Sequence, residues 1–483
     1  MTTALPTTTD ARRPSATSPR DPGKTSTILI VLMLAGTSFG LMQSLLLPAL
    51  PQLERAFATN PAGAAWILTS FLLSTSVLTP IVGRTGDLYG RQRMLVIVLA
   101  VFSLGILVSA LAPNLSVMIV GRAIQGVGGG IFPLAFGVIR DQFPRERIAG
   151  GIGAVSSVVG IGGGVGLILP GIILEALSFR WLFWIPLIFN LIAMVAVAVW
   201  VPNAKPHGSR GVNLLSAGLM AVGLVALLLG VSEVADWGTW SIAAFVVAAV
   251  FLVAWIRNDL RATQPLIDMS MMRIRSVWAV NVVALLLGAG MFAAFLLIPL
   301  YVETPAGHGF GFGASVIVAG LFVVPTAVPQ LIVGPLAGFF ERHIGSRGAL
   351  IGGSAALALS FAILATLSHQ VVWIFVATTL IGIGLGLALP ALANVVVGAV
   401  PREHTGAATA MNTVMRNIGG SLGSQLAATI VAASALGAGY PRESGYTVAY
   451  LVVGLAAVAA LGLTFVITVG RKTRHTPGFV TKP

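Results

Sequence analysis

Through a window of about 19 residues, the chain reads as long apolar runs separated by short polar breaks. The runs lie near 27–50, 63–82, 94–112, 116–139, 148–174, 181–201, 213–232, 239–256, 277–301, 313–336, 348–367, 371–398, 406–434 and 447–469. A helix needs ~20 apolar residues to cross a bilayer, so the pattern predicts an all-α polytopic membrane protein with fourteen transmembrane helices. The first run, Thr27 to Leu50, is too long for the apolar region of a signal peptide and lacks a clear cleavage site, so it reads as span 1. Before it, residues 1–25 are rich in Thr, Ser, Pro and Arg and predict a disordered tail. Residues 471–483 form a second polar tail.

A repeat underlies this pattern. A shift of 257 residues lays Gly129, Pro133, Pro144, Arg145, Glu146, Gly162, Gly163 and Gly166 on Gly386, Pro390, Pro401, Arg402, Glu403, Gly419, Gly420 and Gly423. Spans 4–5 and 12–13 are therefore counterparts, and the chain divides into two six-helix bundles, 26–201 and 276–470. Spans 7 and 8 become an inserted pair within 202–256, and the polar stretch 257–275 is a linker. Two bundles around a central cavity are the architecture of a transporter.

Charge orients the chain. Of 28 Lys and Arg residues, 23 fall on the side of the two termini, so the positive-inside rule places both termini in the cytoplasm. Eight of the nine tryptophans lie near span ends, where amphipathic rings favour the interface. The net charge of +13 is thus spread over membrane loops and does not form a soluble patch for nucleic acid. With no cysteine there is no disulfide or thiolate metal site, and no glycine–lysine phosphate loop implies a nucleotide or other cofactor.

Between spans 2 and 3 stands Gly83-Arg84-Thr85-Gly86-Asp87-Leu88-Tyr89-Gly90-Arg91-Gln92-Arg93. A tight turn at Gly90 and an acid free to meet helix ends and arginines suit a gate that latches in one state and opens in the other. The segment resembles the cytoplasmic signature of the major facilitator superfamily. A degenerate copy, Gly334 to Gly338 with Glu341, Arg342, Gly345 and Arg347, occupies the second half. Span 4 carries Arg122, Gln125 and Gly126 to Gly130, which resemble the superfamily's second motif; in proton-coupled members that arginine assists proton transfer. In span 5, Gly153, Gly162, Gly166 and Gly171 are similar to the antiporter signature of drug exporters, departing from it at Leu167 and Pro170. Phe179 to Phe183, Gln264 to Asp268, and Met411 to Arg416 with Gly419 and Gly420 extend the resemblance to the fourteen-helix drug:proton antiporters over nearly the whole chain from residue 27.

This resemblance implies a major facilitator fold in the plasma membrane. It also implies secondary active export of amphipathic small molecules, including drugs or antibiotics, in exchange for protons. A monomer is expected. The proton carrier is the point of departure. Relatives carry an aspartate in span 1 ahead of an Ala-Leu-Pro, and aligning on Ala49-Leu50-Pro51 places Met42 there. No carboxylate lies deep in a predicted span, which leaves Asp141, Glu175, Asp236 and Glu303 near span ends, with Arg122, as coupling candidates. The six histidines, His207, His308, His343, His369, His404 and His475, fall in loops or at helix ends and form neither a relay nor a metal cluster.

Arg416 lies about twelve residues into span 13, or ~18 Å at 1.5 Å per residue, close to the midplane. With Gln43, Ser44, Trp66, Gln125, Gln330, Asn394 and Asn412 it supplies scattered polar groups for an apolar cavity. Such a lining suits neutral, zwitterionic or anionic amphiphiles better than lipophilic cations. The alternative within transport is a lipid or lipophile translocator without proton coupling. A membrane-embedded enzyme would need converging His, Asp and Glu at one face, and the census shows no such convergence.

Overall fold

The computed structural model describes residues 22–46, 48–203, 211, 213–435 and 441–467. Asp236 lies in a short helix, but its side chain is outside the described residues, as are most of both tails and the loop bearing Lys205 and Arg210. The described chain is all-helical. Its long rods are α1 Pro22–Ser44, α2 Pro61–Tyr89, α3 Arg91–Ala110, α4 Leu115–Gln142, α5 Arg145–Ala176, α6 Trp181–Trp200, α7 Leu214–Ser232, α8 Trp240–Arg261, α9 Arg275–Glu303, α10 Val316–Val333, α11 Gly345–Leu367, α12 Val371–Ala399, α13 Thr405–Ala433 and α14 Glu443–Thr464.

Among the described residues, eleven rods are long and apolar enough to cross a membrane. A twelfth is added if α10 is joined across a 61° bend to the short helix Ala337–His343. By this measure the count stops short of the expected fourteen. The rods outside it are α5 and α13, and α13 is diluted by Thr, Asn, Ser, Gln and Arg416.

Local chemistry starts and stops these rods. Asn60, Asn114 and Asn213 each accept a backbone N–H three residues on, at 2.8, 3.0 and 3.0 Å, and so cap α2, α4 and α7. Gly126–Gly130 in the middle of α4 tightens into a 3-10 turn, where α2 packs closely against it. α10 breaks at Gly334–Leu336 before the short helix begins.

Packing follows the repeat. One apolar core is formed by α1 to α6, centred on Leu32, Phe39, Phe71, Phe102, Phe132 and Phe183, and Ala393 and Val397 of α12 join it. A second is formed by α9 to α14, including Tyr301, Phe361, Tyr446 and Tyr450. Counterpart helices meet through small residues: an added Cβ at Gly162 would sit 2.5 Å from Gly40, and one at Gly166 would sit 2.6 Å from Ser44 Cβ, bringing α5 onto α1. In the other half, Gly419 and Gly423 bring α13 onto Leu285 and Ala289 of α9 in the same way. The halves adjoin along two seams, α2 with α13 and α5 with α10.

The inserted pair leans on the first seam. Leu73 of α2 and Val414 and Ile418 of α13 pack with Ala217, Met220, Leu224 and Leu228 of α7 and with Trp255 of α8. Asp259 at the end of α8 anchors this arrangement. Its carboxylate is buried and accepts from Ser216 Oγ (2.5 Å), Trp255 Nε1 (3.0 Å) and the backbone N–H groups of Leu266 (3.2 Å) and Ile267 (3.1 Å).

Candidate transport site and gate

Asp87 and Arg91 stand one turn apart across Gly90, whose φ of 102° ends α2 and lets α3 begin at Arg91. Arg91 donates to Asp87 Oδ1 through Nη2 (2.8 Å) and Nε (3.2 Å). The same carboxylate then reaches the other half, accepting from the backbone N–H of Gly406 and of Ala407, both at 3.1 Å. Those amides belong to the first turn of α13, where unpaired donors and the helix dipole favour an anion. Gly83 makes the approach possible, since a Cβ there would lie 2.5 Å from Gly406 O.

Arg91 completes the latch. It donates to Gly137 O (2.9 Å), Asp141 Oδ2 (2.6 Å) and, across the seam, Arg402 O (2.6 Å). Arg140 adds Val400 O (2.7 Å), Pro401 O (3.2 Å) and Thr405 Oγ1, and Arg84 Nη1 lies 3.3 Å from His404 Nδ1. Asp87 and Arg91 are 1% and 3% exposed, so the pair is withdrawn from water with its hydrogen bonds filled. In the second half, the polar side chains of the degenerate copy bond within their own half. Glu341 accepts from Ser346 (2.5 Å) and Arg347 donates to Phe465 O (3.2 Å).

Above the latch lies a small central chamber. Phe132 and Phe136 of α4, Ser156 and Val159 of α5, Leu389 and Ala393 of α12, and Thr409, Asn412, Thr413 and Arg416 of α13 line it. At about 20 Å³ it has room for little more than a water molecule. Asn412 also donates to Asn281 Oδ1 (3.0 Å), while Arg416 Nε is buried without a hydrogen-bond partner among the described residues. Below the chamber, on the latch side, a vestibule of about 560 Å³ opens between α4, α5, α12 and the short helix after α10. Arg140, Arg145, Arg342 and Arg402 line it together with Glu146 and Glu341.

The other expected cavity residues stand elsewhere. Gln125 is buried inside the first bundle, donating to Gly105 O (3.0 Å) and Ser109 Oγ (2.8 Å). Trp66 packs at the edge of the α7–α8 cluster. Ser44 faces Gly166, and Gln43 is half-buried on α1 outside the chamber lining. Gln330 wedges against Gly160 in the α5–α10 seam, and Asn394, next to Ala393 of the chamber, lines the vestibule. The physical reason is rotational: depth along a helix was readable, but the face that turns inward depends on neighbours remote in sequence.

Arg122 is fully buried and tied to the scaffold. It donates to Ile67 O (3.0 Å), Met42 O (3.4 Å) and Gln125 Oε1 (2.7 Å), and stacks 4.1 Å over the Phe71 ring. Met42 is itself completely buried beside it. Among the coupling candidates, Asp141 is held in the latch by Arg91, Glu175 is exposed at the end of α5, and Glu303 is half-buried at the end of α9. None of the described three lines the chamber. On α5, Gly162 and Gly166 face α1. Gly153 and Gly171 face Gly334 and Ile317 of α10, so this helix runs along the seam between the halves. The backbone acceptors at 400–402 and the aromatic pair Phe132 and Phe136 had no readable signal, because both depend on the halves being face to face.

Two helical halves meeting around a chamber, with a charged latch joining them at one end, define a membrane transporter. The chain belongs to the Major Facilitator Superfamily, whose family profile matches residues 32–424, with a further match over 312–481. It is 30% identical over 461 residues to the cephamycin export protein CmcT of Amycolatopsis lactamdurans, spanning 92% of this chain and 93% of that one. It is 28% identical to the multidrug transporter protein MdtP of Bacillus subtilis (strain 168), over 74% of this chain and 66% of that one. It is 27% identical to the uncharacterised MFS-type transporter YcnB of the same organism, over 91% and 94%. The crystal structure of the human organic anion transporter TETRAN shares the fold at a TM-score of 0.66 and 14% identity, over 92% of this chain and 100% of that one. The chain is therefore a multi-pass membrane transporter of small molecules, with drug and antibiotic exporters among its relatives, and not an enzyme.

Proposed function

We propose that the protein is a secondary active exporter of amphipathic small molecules, working by alternating access and exchanging substrate for protons. The observation that carries this reading is the Asp87–Arg91 latch. It ties the first half to the main chain of the second at the end of the molecule that the positive-inside count places in the cytoplasm. A contact made across the two halves at one end, below a chamber closed to little more than water size, suits a protein whose inner mouth is shut in this conformation. Drug and antibiotic exporters among the relatives support the direction of transport. In this reading all fourteen rods span the plasma membrane of a monomer, with both termini inside. The bundles are 26–201 and 276–470, the inserted pair is 202–256, the linker is 257–275, and the tails are 1–25 and 471–483.

A specific observation favours a second reading, a translocator of lipids or lipophiles without proton coupling. Met42 occupies the helix 1 position where the family resemblance implies an acid, and Arg122 beside it bonds to carbonyls, an amide and a ring. Uptake by inside-out proteoliposomes with and without an imposed proton gradient separates the two. Accumulation that follows the gradient supports antiport. Movement that ignores it replaces antiport with the second reading.

A further inference from the structure

We propose that the chamber takes an amphipathic anion, with Arg416 as its counter-charge. This rests on the exporter reading and narrows its substrate. Arg416 is the one charged residue of the chamber lining, and its Nε is buried with no acceptor among the described residues. Arg416 is half-buried overall, but a guanidinium nitrogen covered without an acceptor is costly, and two oxygens of a carboxylate or sulfonate can pair with Nε and a neighbouring Nη of its planar fork. The rest of the lining offers hydroxyls and an amide on α13 and apolar walls from Phe132, Phe136, Val159 and Leu389. That is an anionic head group's site next to a hydrocarbon body's site. Arg122 does not compete for this role, because it lies outside the chamber lining: it holds Ile67 O, Met42 O, Gln125 and the Phe71 ring inside the first bundle, and its Nη2, though buried with no acceptor among the described residues, does not face the chamber.

The vestibule carries the second, independent observation. Arg140, Arg145, Arg342 and Arg402 outnumber Glu146 and Glu341 there, so its field attracts anions. Chamber and vestibule are stacked on the same three helices: Phe136 and Arg140 are one turn apart on α4, Val159 stands above Ala149 on α5, and Ala393 and Val397 are one turn apart on α12. When the latch opens, a molecule leaving the basic mouth therefore meets Arg416 next. A cation exporter would need the opposite sign at both stations.

The test uses three probes with one apolar body: 2-naphthalenesulfonate, 2-naphthalenesulfonamide and (2-naphthylmethyl)trimethylammonium. Initial rates are read in inside-out proteoliposomes, together with the melting temperature of the full chain in detergent. Sulfonate should move about tenfold faster than either other probe and should alone raise the melting temperature. Arg416→Gln should bring its rate down to that of the sulfonamide, while Arg416→Lys, which keeps the charge, should preserve the order of the three. The wild-type series decides the matter even if the Gln variant does not fold. Equal or faster movement of the ammonium or the sulfonamide, or a sulfonate preference that survives Arg416→Gln, overturns the proposal and leaves the exporter reading standing. Failure of all three probes to move or to stabilise the wild type overturns both.

Discussion

At the scale of single residues, Asp87 is the acid that both halves share. Its carboxylate pairs with Arg91 and with two amides of α13, and an amide side chain in its place can keep only part of that set. Breaking a buried pair costs about 3–5 kcal/mol. Asp87→Asn should therefore reduce transport in proteoliposomes at least about tenfold. Unchanged transport would remove the gate assignment. Asp87, Gly90 and Arg91 stood out in the sequence through the segment's resemblance to the superfamily's cytoplasmic signature, and the structure pairs Asp87 with Arg91 across the Gly90 turn. Arg140 did not stand out, because its partners at 400, 401 and 405 lie about 260 residues away and two of them are backbone carbonyls.

Elements tell a similar story. The α5 glycines that resemble the antiporter signature each sit against a neighbouring helix or the break after α10. An added Cβ at Gly153 would collide with Gly334 O and lie 2.5 Å from Ala337 Cβ. Gly153→Leu should thus force α5 from α10 and abolish uptake in proteoliposomes. Gly218→Leu on α7, where nothing lies near an added Cβ, should leave uptake unchanged. The inserted pair makes a separate prediction. Asp259→Ala leaves the Trp255 ring N–H and two buried backbone donors without their acceptor, each at a cost of about 1–3 kcal/mol. The variant should melt several degrees lower, and its 262–268 segment should become sensitive to protease; an unchanged melting curve would mean the clasp is idle. Asp259 gave no signal in the sequence, where it is one acid in a polar linker. Its importance comes from a helix end folding back on Ser216, 43 residues earlier.

For the whole molecule, the duplicated halves were readable from one offset of 257 residues, and the two apolar cores follow it. The aim of each helix face at the chamber was not readable, since it is set when the halves close on each other. The absence of cysteine makes that closure easy to follow. A single Ser156→Cys in the chamber lining should react slowly with a hydrophilic maleimide added from the cytoplasmic side, and Asp87→Asn should raise the rate about tenfold or more by weakening the latch. Equal rates would mean that the chamber is sealed by something other than the latch.

The partners of Asp87 and Arg91 across the seam have a consequence for how this protein tolerates mutation. They are main-chain groups, the amides of 406 and 407 and the carbonyl of 402. Most side-chain changes on the second half leave those groups in place, whereas one base change at codon 87 or 91 removes the lock. Genetic lesions that release the closed state should therefore collect in the first half of the coding sequence. In the second half the vulnerable point is Gly406, where an added Cβ would lie 2.5 Å from Gly83 O and 3.0 Å from both Asp87 carboxylate oxygens.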